Sequence, residues 1–163
     1  MTKDRDIAMP DLLTELDNAL TSLEKAKAEY ALCGGLAVAV HGYARATVDI
    51  DIVVLRKDLE QIKAALKEGG FYLDNGIIPL PSQNIEFYRM GKIVGKDVLV
   101  VDLLFTDEES YLWQGRERRR WSHGEMWVLS KEALIRMKST SQREKDQADI
   151  VELSRIRSEN SSE

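Results

Sequence analysis

The sequence has few of the residues that build disulfide-linked or zinc-bound scaffolds. Its 163 residues include one cysteine, Cys33, and two histidines. A single cysteine excludes an intramolecular disulfide and a cysteine-rich zinc site, and it fits a reducing, cytoplasmic compartment. No segment approaches the ~18 consecutive apolar residues of a membrane helix, and the charged first residues do not resemble a signal peptide. We therefore expect a soluble cytoplasmic protein with no membrane partner.

An excess of basic residues is also missing. Lys and Arg number 23 and Asp and Glu number 28, which gives a formal net charge of −5. This balance argues against a protein that coats nucleic acid. Hydrophobic residues at 44% and charged residues at 31% are ordinary for a globular chain, and the length corresponds to about one domain. We expect a single domain over residues 1–153 and a polar, disordered tail at 154–163.

Hydrophobic periodicity predicts a mixture of helices and strands. Helices are expected at 11–28, 36–40, 57–68, from the N-cap Ser130 through Lys138, and at 145–156. Strands are expected at 30–33, 47–55, 71–73, 85–90, 98–105 and 126–129. Loops or irregular segments are expected at 74–84, 91–97 and 106–125.

Three aspartates lie in segments that are otherwise mostly aliphatic. Alternation along a strand at 47–55 would bring Asp49 and Asp51 out of the same face, ~6.6 Å apart. The later segment VLVVDLLF carries Asp102 as its single charge. A carboxylate in a core strand is normally paired, protonated or bound to a cation, and such oxygen ligands suit Mg²⁺ or Mn²⁺. Together the three favour a metal site; the alternative is two aspartates at an exposed strand edge and an Asp102 paired with an arginine.

A glycine pair, Gly34-Gly35, lies between the first predicted strand and the short helix that follows it. This arrangement directs backbone N–H groups to a place where they can hold phosphate. Alone it is a weak signal, since most glycine pairs only form turns. Here the carboxylate segment follows after one short helix, and if the two strands are neighbours, the phosphate and metal ligands would face one cleft.

These residues carry a family resemblance. The stretch CGGLAVAVHGYARATVDIDIVV resembles the signature of the nucleotidyltransferase superfamily with the DNA polymerase beta type fold, in which an Asp-hydrophobic-Asp strand follows a glycine pair. Its HGYARATVDID portion is similar to minimal nucleotidyltransferases, including those resembling AbiEii type toxins. VLVVDLLF and LIRMKSTSQREKDQADIVEL resemble the third-carboxylate strand and the C-terminal helix pair. The resemblance covers about residues 30–153 and implies an α/β (α+β) fold, a single domain with a mixed β-sheet flanked by helices.

The resemblance also implies a set of ligands. Asp49, Asp51 and Asp102 would bind two Mg²⁺ or Mn²⁺ ions, and Asp102 would help to activate the acceptor hydroxyl. Gly34 and Gly35 would contact the triphosphate of an NTP. Many members have serine at the second glycine position, so a hydroxyl contact to phosphate is absent here.

Four basic residues complete the implied nucleotide site. Lys138 would reach the phosphates from its helix, with Arg143 or Lys145 as helpers. Arg45 would position the carboxylate strand or the nucleotide.

The implied reaction moves NMP from an NTP to an acceptor hydroxyl and releases pyrophosphate. The acceptor is left open between a small molecule, a tRNA end and a protein, and toxin activity is a family-level option. A second hypothesis is a nucleotide-binding or partner-binding module that keeps the fold but is weak or inactive in catalysis. A metal-independent structural protein, with all three aspartates in salt bridges, ranks last.

The remaining reactive side chains are assigned structural roles. Cys33 is expected in the core, His41 is expected to be structural, and His123 supports no claim. Arg116 and Arg118 to Arg120, flanked by Trp113 and Trp121, are open to two interpretations. They could stack on RNA bases, or they could form a solvated loop that pairs with the acidic residues 107–109.

Overall fold

The computed structural model describes residues 9–44, 46–80, 85–121, 124–140 and 143–156. The helices are α1 (Met9–Lys25), α2 (Gly34–Val40), α3 (Leu59–Glu68), α4 (Tyr111–Gln114), α5 (Lys131–Lys138) and α6 (Glu144–Arg155). The strands are β1 (Ala31–Cys33), β2 (Ile50–Leu55), β3 (Leu73–Leu80), β4 (Ile85–Val94), β5 (Asp97–Thr106), β6 (Arg116–Trp121) and β7 (Gly124–Leu129). A 3-10 turn at Arg56–Asp58 leads into α3.

All seven strands form one mixed sheet in the order β3-β4-β5-β2-β1-β7-β6. β2 runs parallel to β5, and β1 runs parallel to β7, whereas the other neighbours are antiparallel. The predicted fold class, a single α+β domain on a mixed sheet, is confirmed. β1 and β2 lie at the centre because their residues are almost wholly apolar and can be buried on both faces.

Contacts of single side chains show which helices cover which face of the sheet. Lys92 of β4 pairs with Glu15 of α1 at 2.7 Å, and Tyr88 of β4 lies against Lys63 of α3. Helices α1 and α3 therefore cover the face on which the even-numbered residues of β4 lie. The opposite face carries Asp51 and Asp102, and the start of α2 packs against it there. The aspartates thus lie on the face away from the first helix.

The strand predicted at 47–55 begins only at Ile50, so its predicted aliphatic face is wrong at one end. Val48 is 44% exposed, and Asp49 lies just before the first paired residue. From Ile52 to Leu55 every side chain is buried. Alternation alone did not locate the start because pairing with β5 begins where Ile50 meets Val101.

The predicted loop at 74–84 is wrong for residues 74–80. These residues form β3, which pairs with β4 over its whole length, and residues 81–84 lie outside the described chain. Pro79 is tolerated because β3 is at the edge of the sheet, where one side of the backbone needs no partner. The predicted connection at 91–97 is also wrong, since β4 continues to Val94 and a tight turn at Gly95 (φ +63°) leads directly into β5.

Residues 106–125 are not irregular as predicted. They contain α4 and the hairpin of β6 with β7, in which Arg116 pairs with Leu129 and Trp121 with Gly124. β6 was missed because RERRRW has no apolar alternation. An edge strand held by backbone hydrogen bonds and by ion pairs of its side chains does not need one.

The predicted helices at 57–68 and from Ser130 are confirmed. The Ser130 hydroxyl accepts a hydrogen bond from the Ala133 N–H at 3.1 Å and caps α5 as expected. The final helix ends at Arg155, and residues 157–163 lie outside the described chain. Within the described residues, no helix has the length and apolar character that a membrane span requires.

Candidate active site

The strand register brings two of the three predicted carboxylates side by side. Asp51 of β2 is the Cα partner of Asp102 of β5, and adjacent strands are about 4.8 Å apart. Because the strands are in register, both side chains leave the same face of the sheet. Asp49 precedes β2 by one residue and is partly buried, and the Asp102 charge acts on it. The three aspartates therefore share one region of the sheet.

Gly34 places the start of α2 directly against this region. Its φ of +69° lies in the left-handed region that favours glycine. A Cβ at this position would lie 3.0 Å from the Cβ and Cγ of Asp51 and closer still to Oδ2. The Asp51 carboxylate thus occupies the space that a side chain at residue 34 would fill. Gly35, the next residue, is buried inside α2.

The charges of the three aspartates are incompletely balanced. Burial, followed by the charges of Asp102 and Asp49, raises the pKa of Asp51 to about 7. Burial and the Asp102 charge also raise the pKa of Asp49, while Arg89 and Lys145 act in the opposite direction. At neutral pH about half of the Asp51 side chains would therefore carry a proton. A cluster in this state is suited to accept a cation.

Arg89 of β4 is a member of this site that the sequence analysis did not identify. It is the Cα partner of Asp102, and its guanidinium donates from Nε to Oδ1 at 2.8 Å and from Nη2 to Oδ2 at 3.1 Å. Asp102 is 7% exposed. The alternative considered for Asp102, a pair with an arginine, is therefore present. An arginine in the strand predicted at 85–90, next to the single aspartate of the strand predicted at 98–105, was an available signal, but the connection between these strands was mispredicted.

Lys138 is close to the aspartates but is bonded elsewhere. Its buried ammonium donates to Asp146 Oδ1 at 3.0 Å and lies 2.9 Å from Asp149 Oδ2. Arg143 also pairs with Asp146, at 2.7 Å. Lys145 is exposed, and its charge, like that of Lys138, acts on Asp51. Of the predicted basic residues, Lys138, Arg143 and Lys145 thus flank the site from α5 and α6, whereas Arg45 lies outside the described residues.

The side chains assigned structural roles are in structural positions. Cys33 is buried opposite Asp51, and burial raises the pKa of its thiol. His41 is buried, and its Nε2 is 2.8 Å from the Leu129 carbonyl oxygen, to which it donates, so it ties the end of α2 to β7. His123 lies outside the described residues.

The arginines of β6 are engaged by carboxylates and aromatic rings. Arg118 donates to both oxygens of Glu24, at 2.9 and 3.2 Å, and Arg119 pairs with Glu117 at 3.0 Å. Arg116 lies 4.0 Å from the Trp113 ring centroid, between Trp113 and Trp127. The predicted partners at 107–109 are wrong, because the acidic partners in the described residues lie in α1, at Glu29 just after it and on the hairpin itself. This ribbon offers few cations for RNA.

The donor chemistry of the aspartates fits a divalent cation. All three offer carboxylate oxygens, the ligands that Mg²⁺ and Mn²⁺ prefer, and burial together with the two neighbouring carboxylates raises the pKa of Asp51. In the part of the chain that the structure describes, no three His, Cys, Asp or Glu side chains are already arranged around one point as metal ligands. The ligand atoms are therefore of the type that a divalent ion requires, and Asp49, Asp51 and Asp102 lie in one region of the sheet. Their side chains would have to rotate to surround one ion.

A family model matches part of the chain. The family model of aminoglycoside-2''-adenylyltransferase matches residues 15–80, which include the glycine pair, Asp49 and Asp51. No curated protein is significantly similar to the chain in sequence. The family match thus covers the first half of the site, whereas Asp102 and the helices after it lie beyond it.

Solved structures cover nearly the whole chain. A candidate nucleotidyltransferase from Thermotoga maritima has a TM-score of 0.63 at 15% identity, over 93% of this chain and 98% of the other. Lincosamide antibiotic adenylyltransferase LnuA, bound to lincomycin, has a TM-score of 0.62 at 17% identity, over 94% and 100%. ANT(2'')-Ia in complex with adenylyl-2''-tobramycin has a TM-score of 0.59 at 14% identity, over 86% of each chain. The chain therefore has a nucleotidyltransferase fold.

Proposed function

We propose that this protein is a nucleotidyltransferase that depends on Mg²⁺ or Mn²⁺ and moves NMP from an NTP to a hydroxyl group of a small molecule. The observation that carries the proposal is the pairing of Asp51 with Asp102 beside Gly34, on one face of the sheet. Incompletely balanced carboxylates next to a glycine turn are what binding of a metal-bound triphosphate requires.

In the proposed reaction the acceptor oxygen attacks the α-phosphorus, and the bond from that phosphorus to the bridging oxygen breaks. Pyrophosphate leaves, and the hydroxyl proton passes to Asp102. Asp49, Asp51 and Asp102 would hold two metal ions, which supply charge neutralisation at the attacking and leaving oxygens when bound.

The triphosphate would be held by backbone and by lysine. Gly34 lies directly against Asp51, and the N–H groups of Gly34 and Gly35 would contact phosphate oxygens. Lys138 is committed to two aspartates, so we assign direct phosphate contact to the exposed Lys145, with Arg143 beside it. Arg45, next to the carboxylate segment in sequence, is proposed to steady the nucleotide.

The choice of a small-molecule acceptor is supported by the proteins that this chain resembles. The matching family model is that of an aminoglycoside adenylyltransferase, and LnuA and ANT(2'')-Ia are structures with an antibiotic or an adenylylated antibiotic. We propose ATP as the donor on the same ground. The ion-paired arginines of β6 disfavour a tRNA acceptor. AbiEii type toxins are not among these proteins, so no toxin role is proposed.

A weak or inactive nucleotide-binding module is the second candidate. It is favoured by the two contacts from Arg89 to Asp102 and by Gly35 in place of serine. In this case ATP and Mg²⁺ would bind, but no label would reach an acceptor.

The test is transfer of label from the four α-labelled NTPs, with Mg²⁺ or Mn²⁺, to a panel of aminoglycosides and lincosamides, to tRNA and to a protein extract. We expect transfer from ATP to a small molecule and a loss of at least about 100-fold in Asp51→Asn. Asp97→Asn, on the same strand as Asp102 but at its far end, is the matched control and should keep full activity. Label in tRNA or protein would refute the acceptor class, and metal-dependent ATP binding without transfer would favour the second candidate.

A further inference from the structure

The contact between Arg89 and Asp102 is held by the sheet itself. The two residues are direct partners on antiparallel strands, and both oxygens of the carboxylate accept from the same guanidinium. The Arg89 guanidinium also lies 5.2 Å from the ring centroid of Phe87, two residues away on the same strand. Its position is therefore fixed by backbone pairing, by the bidentate contact and by an aromatic neighbour.

This contact balances charge at a carboxylate that has little access to water. Asp102 is 7% exposed and lies beside Asp51, with Asp49 close enough to feel its charge. Three acidic groups in one partly buried region repel one another, and the guanidinium offsets part of that repulsion. Arg89 therefore lowers the electrostatic cost of bringing the three carboxylates together when no metal ion is present.

The same contact opposes the binding of a cation. A divalent ion that uses Asp102 must share or displace an oxygen that already accepts from Arg89, and the positive charges of ion and guanidinium repel each other at short range. Lys138, a buried cation on α5, is directed to Asp146 and Asp149 instead. Among the residues that the structure describes, Arg89 is therefore the basic residue that is hydrogen-bonded to one of the three aspartates.

We propose that Arg89 is a positioning residue that holds the Asp102 carboxylate and competes with the divalent ion for it, so that Arg89 sets the metal affinity of the site. This inference rests on the proposed metal site at Asp49, Asp51 and Asp102. It predicts that substitution of Arg89 lowers the thermal stability of the metal-free protein and raises its affinity for the metal ion. Substitution of a residue with a purely structural role would lower the stability without raising the metal affinity.

The test measures Mn²⁺ binding to the full chain without nucleotide, from the free Mn²⁺ signal in electron paramagnetic resonance. Arg89→Met keeps the length of the side chain and removes its charge, and we expect Mn²⁺ to bind about tenfold more tightly than to the wild type. Arg89→Lys keeps the charge but loses the bidentate contact, so its affinity should fall between the two. The midpoint of thermal unfolding without metal should be lower in both variants.

Arg56→Met is the matched control. Arg56 also pairs with a carboxylate of β4, Glu86, at 2.9 Å and lies over an aromatic ring, Phe105, but neither partner belongs to the aspartate cluster. Its Mn²⁺ affinity should equal that of the wild type. Equal or weaker Mn²⁺ binding by Arg89→Met would overturn the proposal. If that variant does not fold, an affinity of Arg89→Lys equal to the wild type overturns it.

Failure of the underlying metal site gives a different result. If neither the wild type nor the folded Arg89 variants bind Mn²⁺ more tightly than Asp51→Asn does, the proposed metal dependence is wrong, and this inference falls with it. If the wild type binds Mn²⁺ through Asp51 but Arg89→Met leaves the affinity unchanged, only the role of Arg89 is refuted.

Discussion

Two groups of aspartates lie close together in this molecule, and their charges are balanced differently. Asp146 and Asp149 of α6 are buried against the Lys138 ammonium, and Arg143 also pairs with Asp146. Asp49, Asp51 and Asp102 share one region of the sheet, and within the described chain only Asp102 of these three has an ion pair, with Arg89. The first group is an ion-pair network, while two of the three carboxylates in the second have no ion pair among the described residues.

The difference bears on which group could hold the proposed metal ion. A buried carboxylate beside its own cation has its charge balanced within the chain, and removal of that cation would leave an uncompensated buried charge. A carboxylate whose pKa is raised by burial and by like charges costs folding free energy in its ionised form. Such a cost persists where a bound cation is part of the working protein. The comparison therefore favours the aspartates of β2 and β5, rather than those of α6, as the ligands of the proposed metal ion.

Removal of the Lys138 ammonium from its ion pairs with Asp146 and Asp149 should have the largest effect on stability. Lys138→Met leaves Asp149 without the ammonium 2.9 Å away, and we expect a loss of about 3–5 kcal/mol in the free energy of unfolding. Urea denaturation measures this value. Lys145→Met, on the exposed surface of the neighbouring helix, is the control and should change the free energy by no more than about 0.5 kcal/mol. Equal effects of the two would mean that the Lys138 network does not stabilise α6.

The close contact between Gly34 and Asp51 can be tested with two glycines of similar backbone conformation. Gly34 has φ +69° and Gly95 has φ +63°, but only a Cβ at Gly34 meets neighbouring atoms. Gly95→Ala should cost about 1 kcal/mol from backbone conformation alone. Gly34→Ala should cost about 2–4 kcal/mol, because the methyl group also displaces the Asp51 carboxylate. Similar losses in urea denaturation would contradict the contact.

Removal of the Asp51 charge from the cluster that it forms with Asp49 and Asp102 should stabilise the metal-free protein. The pKa of Asp51 is raised to about 7 from an unfolded value near 4, so the folded state binds the additional proton between these values. Stability from this group is complete below about pH 4, falls as the pH rises to about 7 and is lost above it. Asp51→Asn should therefore be about 2–4 kcal/mol more stable than the wild type at pH 8 and nearly equal to it at pH 4.

Urea denaturation at the two pH values, without metal, measures the difference. Asp97→Asn, at the start of β5, is the control and should leave the pH dependence of the wild type unchanged. A loss of stability in Asp51→Asn at pH 8 would show that the aspartate cluster is balanced after all.

The sequence predicted the parts of this site that depend on local pattern. Alternation near Asp51 and the single charge of VLVVDLLF identified two carboxylates, and the strand register now makes them neighbours. Arg89 was not identified because its role depends on which residue of β5 lies opposite, and that in turn depends on the length of the β4–β5 turn. The β6 strand was missed because ion pairs with Glu24, distant in sequence, support it instead of apolar alternation.

The state of Asp51 itself tests the central claim most directly. Carbon-13 NMR of the aspartate carboxyl groups, followed over pH 3–9 with Asp51→Asn to assign the signal, reports when this site loses its proton. We expect a midpoint near pH 7 without metal and a clearly lower midpoint with Mg²⁺, because a bound cation favours the ionised carboxylate. A midpoint near pH 4 without metal, or one near pH 7 that Mg²⁺ does not lower, would contradict the assignment of these aspartates as a cation site.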